Sequence, residues 1–109
     1  MKIAILSDVH ANMPALEAVI HDLERNECKY VFVLGDLIGY YYWPKEVVIY
    51  FMSHPNCNVI RGNHEDLLVR SLKDENFADK CYQKYGSGLR RCMEKLSEAQ
   101  LSWLAELPE

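Results

Sequence analysis

The sequence lacks several features that mark common classes of protein. It has no apolar stretch near the roughly 20 residues of a membrane-spanning helix, and no Lys/Arg-rich run in a chain of net charge -4. We therefore expect no membrane partner, and nucleic acid only as a substrate. The N-terminal segment also lacks the apolar region and small-residue cleavage site of a signal peptide, so we expect a cytoplasmic protein.

Other motifs are missing as well. Neither G-x-G-x-x-G nor a P-loop occurs, which disfavours a nucleotide-binding domain of the Rossmann kind. The cysteines show no C-x-x-C spacing, and we expect reduced thiols rather than a disulfide pair at Cys28, Cys57, Cys81 and Cys92. No repeat, linker or low-complexity segment divides the 109 residues, so we expect a single domain over residues 1–109.

Three short apolar runs alternate with helical patterns. Residues 2–6 (KIAIL), 30–34 (YVFVL) and 57–61 (CNVIR) have the length and composition of buried strands. Asn12 and Pro14 predict the start of one connecting helix, and Pro44 predicts the start of the other. Connections of this length make neighbouring strands parallel. The prediction is an α/β fold in which a parallel βαβαβ unit is followed by helices from residue 66 onward.

The helical segments carry apolar stripes that should face a core. A capping-box pattern also runs from Ser97 to Gln100, ahead of a final helix. The side chains that we expect to face inward are Leu16, Val19, Ile20, Leu23, Val47, Val48, Phe51, Met52, Leu67, Leu68, Leu72, Tyr82, Tyr85, Leu89, Cys92, Met93 and Leu96.

Polar residues follow each of the three predicted strands. Asp8 and His10 leave the first strand two positions apart, so that in extended backbone their side chains would point to the same side. Asp36 follows the second strand, and Asn63 and His64 follow the third. Because the carboxyl ends of parallel strands meet at one edge of a sheet, we expect these five residues to converge.

The residue types in this set suit a metal centre. Carboxylates, an imidazole and an amide oxygen are ligands for Mn, Fe, Zn or Mg. A carboxylate that lies between two ions can bridge them, and ions about 3.5–4 Å apart can clamp a phosphoryl group and activate a water. Each motif alone is an ordinary turn, but their conjunction after three successive strands predicts one shared site.

The segments SDVHANMPALEAVI, VFVLGDLIGY and VIRGNHEDLL resemble the first three motif blocks of the calcineurin-like metallophosphoesterases, in particular their bacterial and archaeal phosphodiesterase-like branch. The resemblance implies a metal-dependent phosphoesterase, in which a metal-activated water hydrolyses a phosphomonoester or phosphodiester substrate at a dinuclear site. It implies two divalent ions, for which Mn is the first candidate and Fe, Zn, Ni and Mg are alternatives. It assigns Asp8 and His10 to the first ion, Asp36 to both ions and Asn63 to the second. It gives His64 a catalytic role, in contact with the scissile phosphate and the leaving group.

The sequence also departs from this family. No histidine follows His64, whereas the family completes its site with later histidines from the second half of a four-layer α/β/β/α sandwich. We therefore expect residues 1–109 to be the N-terminal part of a longer phosphoesterase domain, with an incomplete site. The alternative is a catalytically inactive interaction module that keeps the fold. In either case one sheet face, with some of Ile3, Ile5, Phe32 and Leu34, should cause self-association or be covered by the C-terminal helices.

Smaller departures concern the loops. Leu37-Ile38-Gly39 stands where the protein serine/threonine phosphatases have Asp-Arg-Gly, which makes that sub-family a poor match. Ala11 replaces a usual glycine, which should tighten the first loop. The run Tyr40-Tyr41-Tyr42-Trp43 either packs on the following helix or forms a lid, a base-stacking wall or a contact between chains. Arg61 is either a phosphate contact or a surface charge.

Overall fold

The computed structural model describes residues 2–109, which form one parallel sheet and a set of helices. The three strands lie in the sheet in the order in which they follow along the chain, with the second strand in the middle. The prediction of a parallel βαβαβ unit followed by helices is confirmed. The elements are β1 (Ile3–Leu6), α1 (Met13–Arg25), β2 (Tyr30–Val33), α2 (Pro44–Met52), β3 (Cys57–Val59), α3 (Asn63–Lys73), α4 (Glu75–Tyr85), α5 (Gly88–Lys95) and α6 (Glu98–Ala105).

The strands are one or two residues shorter than the apolar runs that predict them. Strand β1 pairs with β2 from Ile3 to Leu6, and β2 pairs with β3 only as far as Val59. Single backbone bonds extend the pairing, from Leu34 N to Leu6 O at 2.8 Å and from Ile60 N to Val33 O at 2.9 Å. Beyond these bonds the chain turns into the loops at the carboxyl edge, which is why the strands end there.

Helix starts follow the sequence signals closely. The Asn12 side chain caps α1 by accepting a hydrogen bond from Ala15 N at 3.2 Å, and the capping box of Ser97 and Gln100 opens α6. Helix α3 begins at Asn63, three residues earlier than predicted. The third strand therefore passes almost directly into a helix, and the polar residues after β3 lie in the first turn of α3.

The core lies on one face of the sheet. Ala4, Val31, Val33 and Val59 point to this face and are buried. The helices cover them with further apolar side chains, which include Leu16, Leu37, Ile38, Val47, Val48, Phe51, Leu68, Leu89, Cys92 and Leu104. We call this the covered face.

Four residues predicted to face inward are exposed, so those predictions are wrong. One is Val19 on α1, whose neighbour on the same stripe, Leu16, is buried. Met52 ends α2 at the flank of its buried stripe. Leu72 lies beside the stripe of α3, where Ser71 is buried instead. Tyr82 packs on the outside of α4 against the guanidinium of Arg90, 4.1 Å from its ring centre. In each case the packing against neighbouring helices, rather than apolarity, sets which side of the helix is buried.

The opposite face of the sheet, which we call the bare face, is exposed. Its side chains are Ile3, Ile5, Tyr30, Phe32, Leu34 and Ile60. Helices α3–α6 pack against α2 and against each other rather than on this face. The expectation that the C-terminal helices cover it is therefore wrong, and self-association through it stays a prediction. No helix within residues 2–109 has both the length and the apolarity to cross a membrane.

Candidate metal centre

The loop after β1 has an unusual backbone. Asp8, His10 and Ala11 adopt φ values of +58°, +48° and +59°, in the left-handed region. The two ligand candidates are therefore not on extended backbone, and the i, i+2 argument for their convergence is wrong. They converge because the chain coils tightly here. Ala11 occupies a conformation that glycine adopts more readily, and strain of this kind is common at functional sites.

Backbone hydrogen bonds hold this loop against the loop after β2. His10 N donates to Asp36 O at 2.9 Å, and Ala11 N donates to Leu37 O at 2.7 Å. On the other side Trp43 N donates to Ala11 O at 2.9 Å. The loop after β1 is thus fixed beside Asp36, although the strands themselves have ended.

Asp8, His10 and Asp36 form a cluster that could hold a metal ion. Each offers one ligand atom, and these atoms lie within 4.8 Å of one another. His10 Nδ1 lies 2.9 Å from the Ile38 carbonyl oxygen and donates to it in the neutral ring, which leaves the Nε2 lone pair facing Asp8 Oδ1 at 3.2 Å. In the neutral ring two acceptors thus face each other, and either a metal cation between them or a proton on Nε2 would stabilise the pair. The pKa of the Asp8 carboxyl group is lowered, chiefly by a hydrogen bond from the Ser7 hydroxyl, and the group therefore stays ionised.

Asn63 and His64 meet the same carboxylate of Asp36 from the first turn of α3. The His64 backbone N–H donates to Asp36 Oδ1 at 2.9 Å. The Asn63 amide group lies 3.0 Å from both carboxylate oxygens, and its nitrogen can donate to them. If its oxygen turns toward them instead, a cation is needed between the two groups. The predicted convergence of the five residues at the carboxyl edge is thus confirmed, while their roles toward a metal stay predictions.

His64 is buried in a cluster of rings. Its ring centre lies 4.7 Å from that of His10, 5.0 Å from that of Tyr40 and 5.4 Å from that of Tyr85. Burial, together with the nearby His10, lowers the pKa of His64 below its usual value and favours the neutral ring. A Cβ atom at Gly39, where φ is +90°, would lie 2.5 Å from His64 Nδ1. Gly39 therefore makes room for this ring.

Glu65 is a functional candidate that the sequence analysis missed. Its side chain is fully buried, and Oε1 accepts hydrogen bonds from Asp36 N at 2.7 Å and Gly62 N at 2.8 Å, while Oε2 accepts one from Leu37 N at 3.0 Å. Burial raises the pKa of Glu65, and these three N–H groups act in the opposite direction. Glu65 ties the loop after β2 to the loop after β3. The sequence did contain a signal for this role. Glu65 stands three residues after Gly62, at the position that a glutamate takes in a capping box.

Arg61 points away from the candidate centre. Its guanidinium pairs with Asp66 at 2.7 Å and Glu109 at 2.6 Å, and it donates to Ala105 O at 3.0 Å. These contacts attach the segment after α6 to the end of β3. In this structure Arg61 is engaged in ion pairs with Asp66 and Glu109, and a phosphate contact by this side chain stays a prediction.

The aromatic run after the second motif is exposed, with one ring at the centre. Tyr40 lies against both His10 and His64, at 5.0 Å between ring centres in each case. Tyr42 lies below the guanidinium of Arg91, 4.7 Å from its ring centre. Packing on α2 alone does not describe this run, because Tyr40 forms one wall of the candidate site.

Comparison with known proteins places this arrangement in a family. The family model described as calcineurin-like phosphoesterase matches residues 1–108. The crystal structure of a metallophosphoesterase from Sphaerobacter thermophilus superposes with a TM-score of 0.75 and 32% sequence identity, over 99% of this chain and 41% of that chain. An uncharacterized protein of Methanocaldococcus jannaschii is 41% identical over 63 residues, which are 58% of this chain and 26% of that protein. This chain thus spans less than half the length of either relative. It belongs to the calcineurin-like phosphoesterase family.

Proposed function

We propose that the candidate centre binds divalent metal ions and hydrolyses phosphate esters. The observation that carries the proposal is the cluster of Asp8, His10 and Asp36, whose ligand atoms lie within 4.8 Å of one another. The donor set fits a metal, since two carboxylates and an imidazole suit divalent ions from Mg to Zn. The lone pair of His10 Nε2 is already held toward the cluster by the bond of Nδ1 to Ile38 O.

The chain's own residues would divide the work as follows. Asp8 and His10 would hold one ion, Asp36 would serve both ions, and Asn63 would serve the second. Two ions held there would supply neutralisation of charge on a phosphoryl group and activation of a water. Glu65 positions Asp36 by binding its backbone N–H at 2.7 Å. His64, neutral and buried beside His10, is placed to contact the phosphate and stabilise the leaving group.

The two halves of the proposed centre differ in their number of ligands. One ion would have Asp8, His10 and Asp36, whereas within residues 2–109 the other would have only Asp36 and Asn63. Mn²⁺ and Mg²⁺ prefer near-octahedral, oxygen-rich shells. We therefore propose that this chain by itself holds at most one ion well, and that ion weakly, with Mn²⁺ as the first metal to test.

Metal titration of the purified chain tests the proposal. We expect one Mn²⁺ site by calorimetry, and about tenfold or more loss of affinity in Asp36→Asn, because removal of supporting groups alone costs 10- to 100-fold. The matched control is Asp22→Asn, an exposed carboxylate on α1. Hydrolysis of bis(4-nitrophenyl) phosphate in Mn²⁺ would then be measured on both variants. A chain that binds no Mn²⁺, or an Asp36→Asn variant that binds it as tightly as the control, would contradict the proposal.

A second candidate function is that of a binding module without catalysis. The bare face supports it, because Ile3, Ile5, Phe32, Leu34 and Ile60 offer a continuous apolar surface on one side of the sheet. The same titration separates the two candidates. A chain that binds no metal and hydrolyses no ester, but associates through the bare face, would favour the binding module.

A further inference from the structure

We propose that the groove between α3 and α4, which we call the basic groove, binds a second phosphate group of the substrate. This inference rests on the proposed phosphoesterase function and names the substrate class, a phosphoester that carries a further phosphate. The groove has a volume of about 270 Å³. Its walls include Arg70 of α3 and Lys80, Lys84 and Tyr85 of α4.

The charge of this groove is opposite to that of the chain. Three cationic side chains line it and no carboxylate does, although the chain as a whole carries a net charge of -4. Within residues 2–109, Arg70, Lys80 and Lys84 form no ion pair, whereas Arg61 and Arg90 do. Three unpaired positive charges in one concave surface raise the local concentration of anions. The lining therefore suits an anionic ligand.

The position of the basic groove connects it to the candidate metal centre. The ring of Tyr85 lies 5.4 Å from that of His64, and Lys84 Nζ lies 5.2 Å from the centre of the Tyr85 ring. Tyr40 lies 6.4 Å from Tyr85 and completes an aromatic surface between the two places. A ligand that extends from the metal centre thus meets first aromatic rings and then positive charge. That order suits two phosphates separated by a group that can pack on a ring.

Arg70 is held in place for such a contact. Its guanidinium lies 4.0 Å above the centre of the Phe77 ring, and this stacking restricts the side chain. A planar guanidinium with fixed orientation can donate two parallel hydrogen bonds to a phosphate. Lys80 and Lys84 are four residues apart on α4 and would supply point charges from the opposite wall.

Paired ligands and paired variants test the inference. The probes are a thymidine dinucleotide with a 5′-phosphate and the same dinucleotide without it, with binding followed by NMR titration in the absence of metal. We expect the 5′-phosphate to tighten binding about fivefold, as two partly exposed charge contacts would. In the triple variant Arg70→Ala/Lys80→Ala/Lys84→Ala, which removes every cation of the groove, this preference should vanish. It should persist in Lys95→Ala, an exposed lysine of α5 outside the groove.

The possible results divide cleanly. The inference is supported if the wild type prefers the phosphorylated probe and only the triple variant loses this preference, and 0.3 M salt should weaken it by screening. Equal binding of the two probes, or a preference that survives in the triple variant, overturns the inference. The NMR titration contains no metal, so its result does not depend on whether Asp36 binds Mn²⁺. Failure of Asp36 to bind Mn²⁺ would therefore contradict the proposed function alone.

Discussion

The two faces of the sheet have the same apolar character and opposite surroundings. Along β2, Val31 and Val33 are buried beneath the helices, whereas Tyr30 and Phe32, which alternate with them, are exposed. Parallel strands usually read as continuous apolar runs because both faces are covered. The composition of a strand therefore shows what a sheet can bury, but not which partner covers it.

The candidate centre depends on the covered face. Glu65 and His64 reach the loops from α3, which packs on that side, and both side chains are buried. Asp36 is held by these two residues, through the Glu65 carboxylate and the His64 backbone N–H. Changes on the covered face should therefore disturb both stability and the site, whereas changes on the bare face should affect stability little and leave the site unchanged.

The largest expected difference is between two phenylalanines. Phe51 on α2 is 2% exposed and faces the core, whereas Phe32 on the bare face is 41% exposed. We expect Phe51→Ala to lower the free energy of unfolding by about 3–5 kcal/mol. Phe32→Ala should lower it by only about 1 kcal/mol, because folding removes less of the apolar surface of Phe32 from water. Urea denaturation measures both. Equal losses would mean that the bare face is covered in solution.

Glu65 tests whether a buried polar group on the covered side matters as much as an apolar one. In Glu65→Gln an amide NH₂ group must face a backbone N–H donor, because the carboxylate accepts from Asp36, Gly62 and Leu37. We expect a loss of about 1–3 kcal/mol in the free energy of unfolding, and weaker Mn²⁺ binding through displacement of Asp36. The control is Glu17→Gln on the exposed side of α1. A Glu65→Gln variant that unfolds and binds Mn²⁺ like this control would show that Glu65 does not position the loops.

The fold and the convergence of the site could be read from the sequence because both depend on local order. Apolar runs, caps and long connections fix a parallel βαβαβ unit, and D-x-H, G-D and G-N-H after its strands must then meet at one edge. The left-handed backbone at Asp8 and His10 could not be read, since it is set by hydrogen bonds to the neighbouring loop.

Three other features depend on contacts between distant parts of the chain. A glutamate usually indicates an exposed position, so the burial of Glu65 becomes visible only when the two loops that it joins are in place. Tyr85 lies 21 positions after His64, and no periodicity indicates that α4 folds back to place the two rings 5.4 Å apart. The bare face was expected, but whether helices cover it depends on how α3–α6 pack with α2.

The pH dependence of stability offers a smaller test. Burial places the pKa of His64 below the value of 6.5 that the unfolded chain would show. Between these two values the unfolded state binds more protons than the folded state, so the free energy of unfolding falls as the pH drops below about 6.5, by at most about 1.4 kcal/mol per pH unit. His64→Gln should remove this contribution to the slope, and His21→Gln, at an exposed position, should not. Identical slopes in the two variants would contradict the burial of a neutral His64.

The smallest expected effect on stability concerns two exposed isoleucines, one on the bare face of the sheet and one on the outer side of a helix. Ile5 lies on the bare face and is 68% exposed, whereas Ile49 lies on the outer side of α2 and is 44% exposed. Neither Ile5→Ser nor Ile49→Ser should change the free energy of unfolding by more than about 0.5 kcal/mol, as is usual for surface positions.

Only Ile5→Ser removes part of a continuous apolar surface, and such surfaces promote association. We therefore expect light scattering and sedimentation to show that the wild-type chain self-associates, that Ile49→Ser does so equally, and that Ile5→Ser does so less. A dye that binds exposed apolar surface should follow the same order. If the wild type is instead a monomer that binds no dye, the bare face needs no cover in water, and the apolarity of Ile3, Ile5, Phe32 and Leu34 would require another explanation.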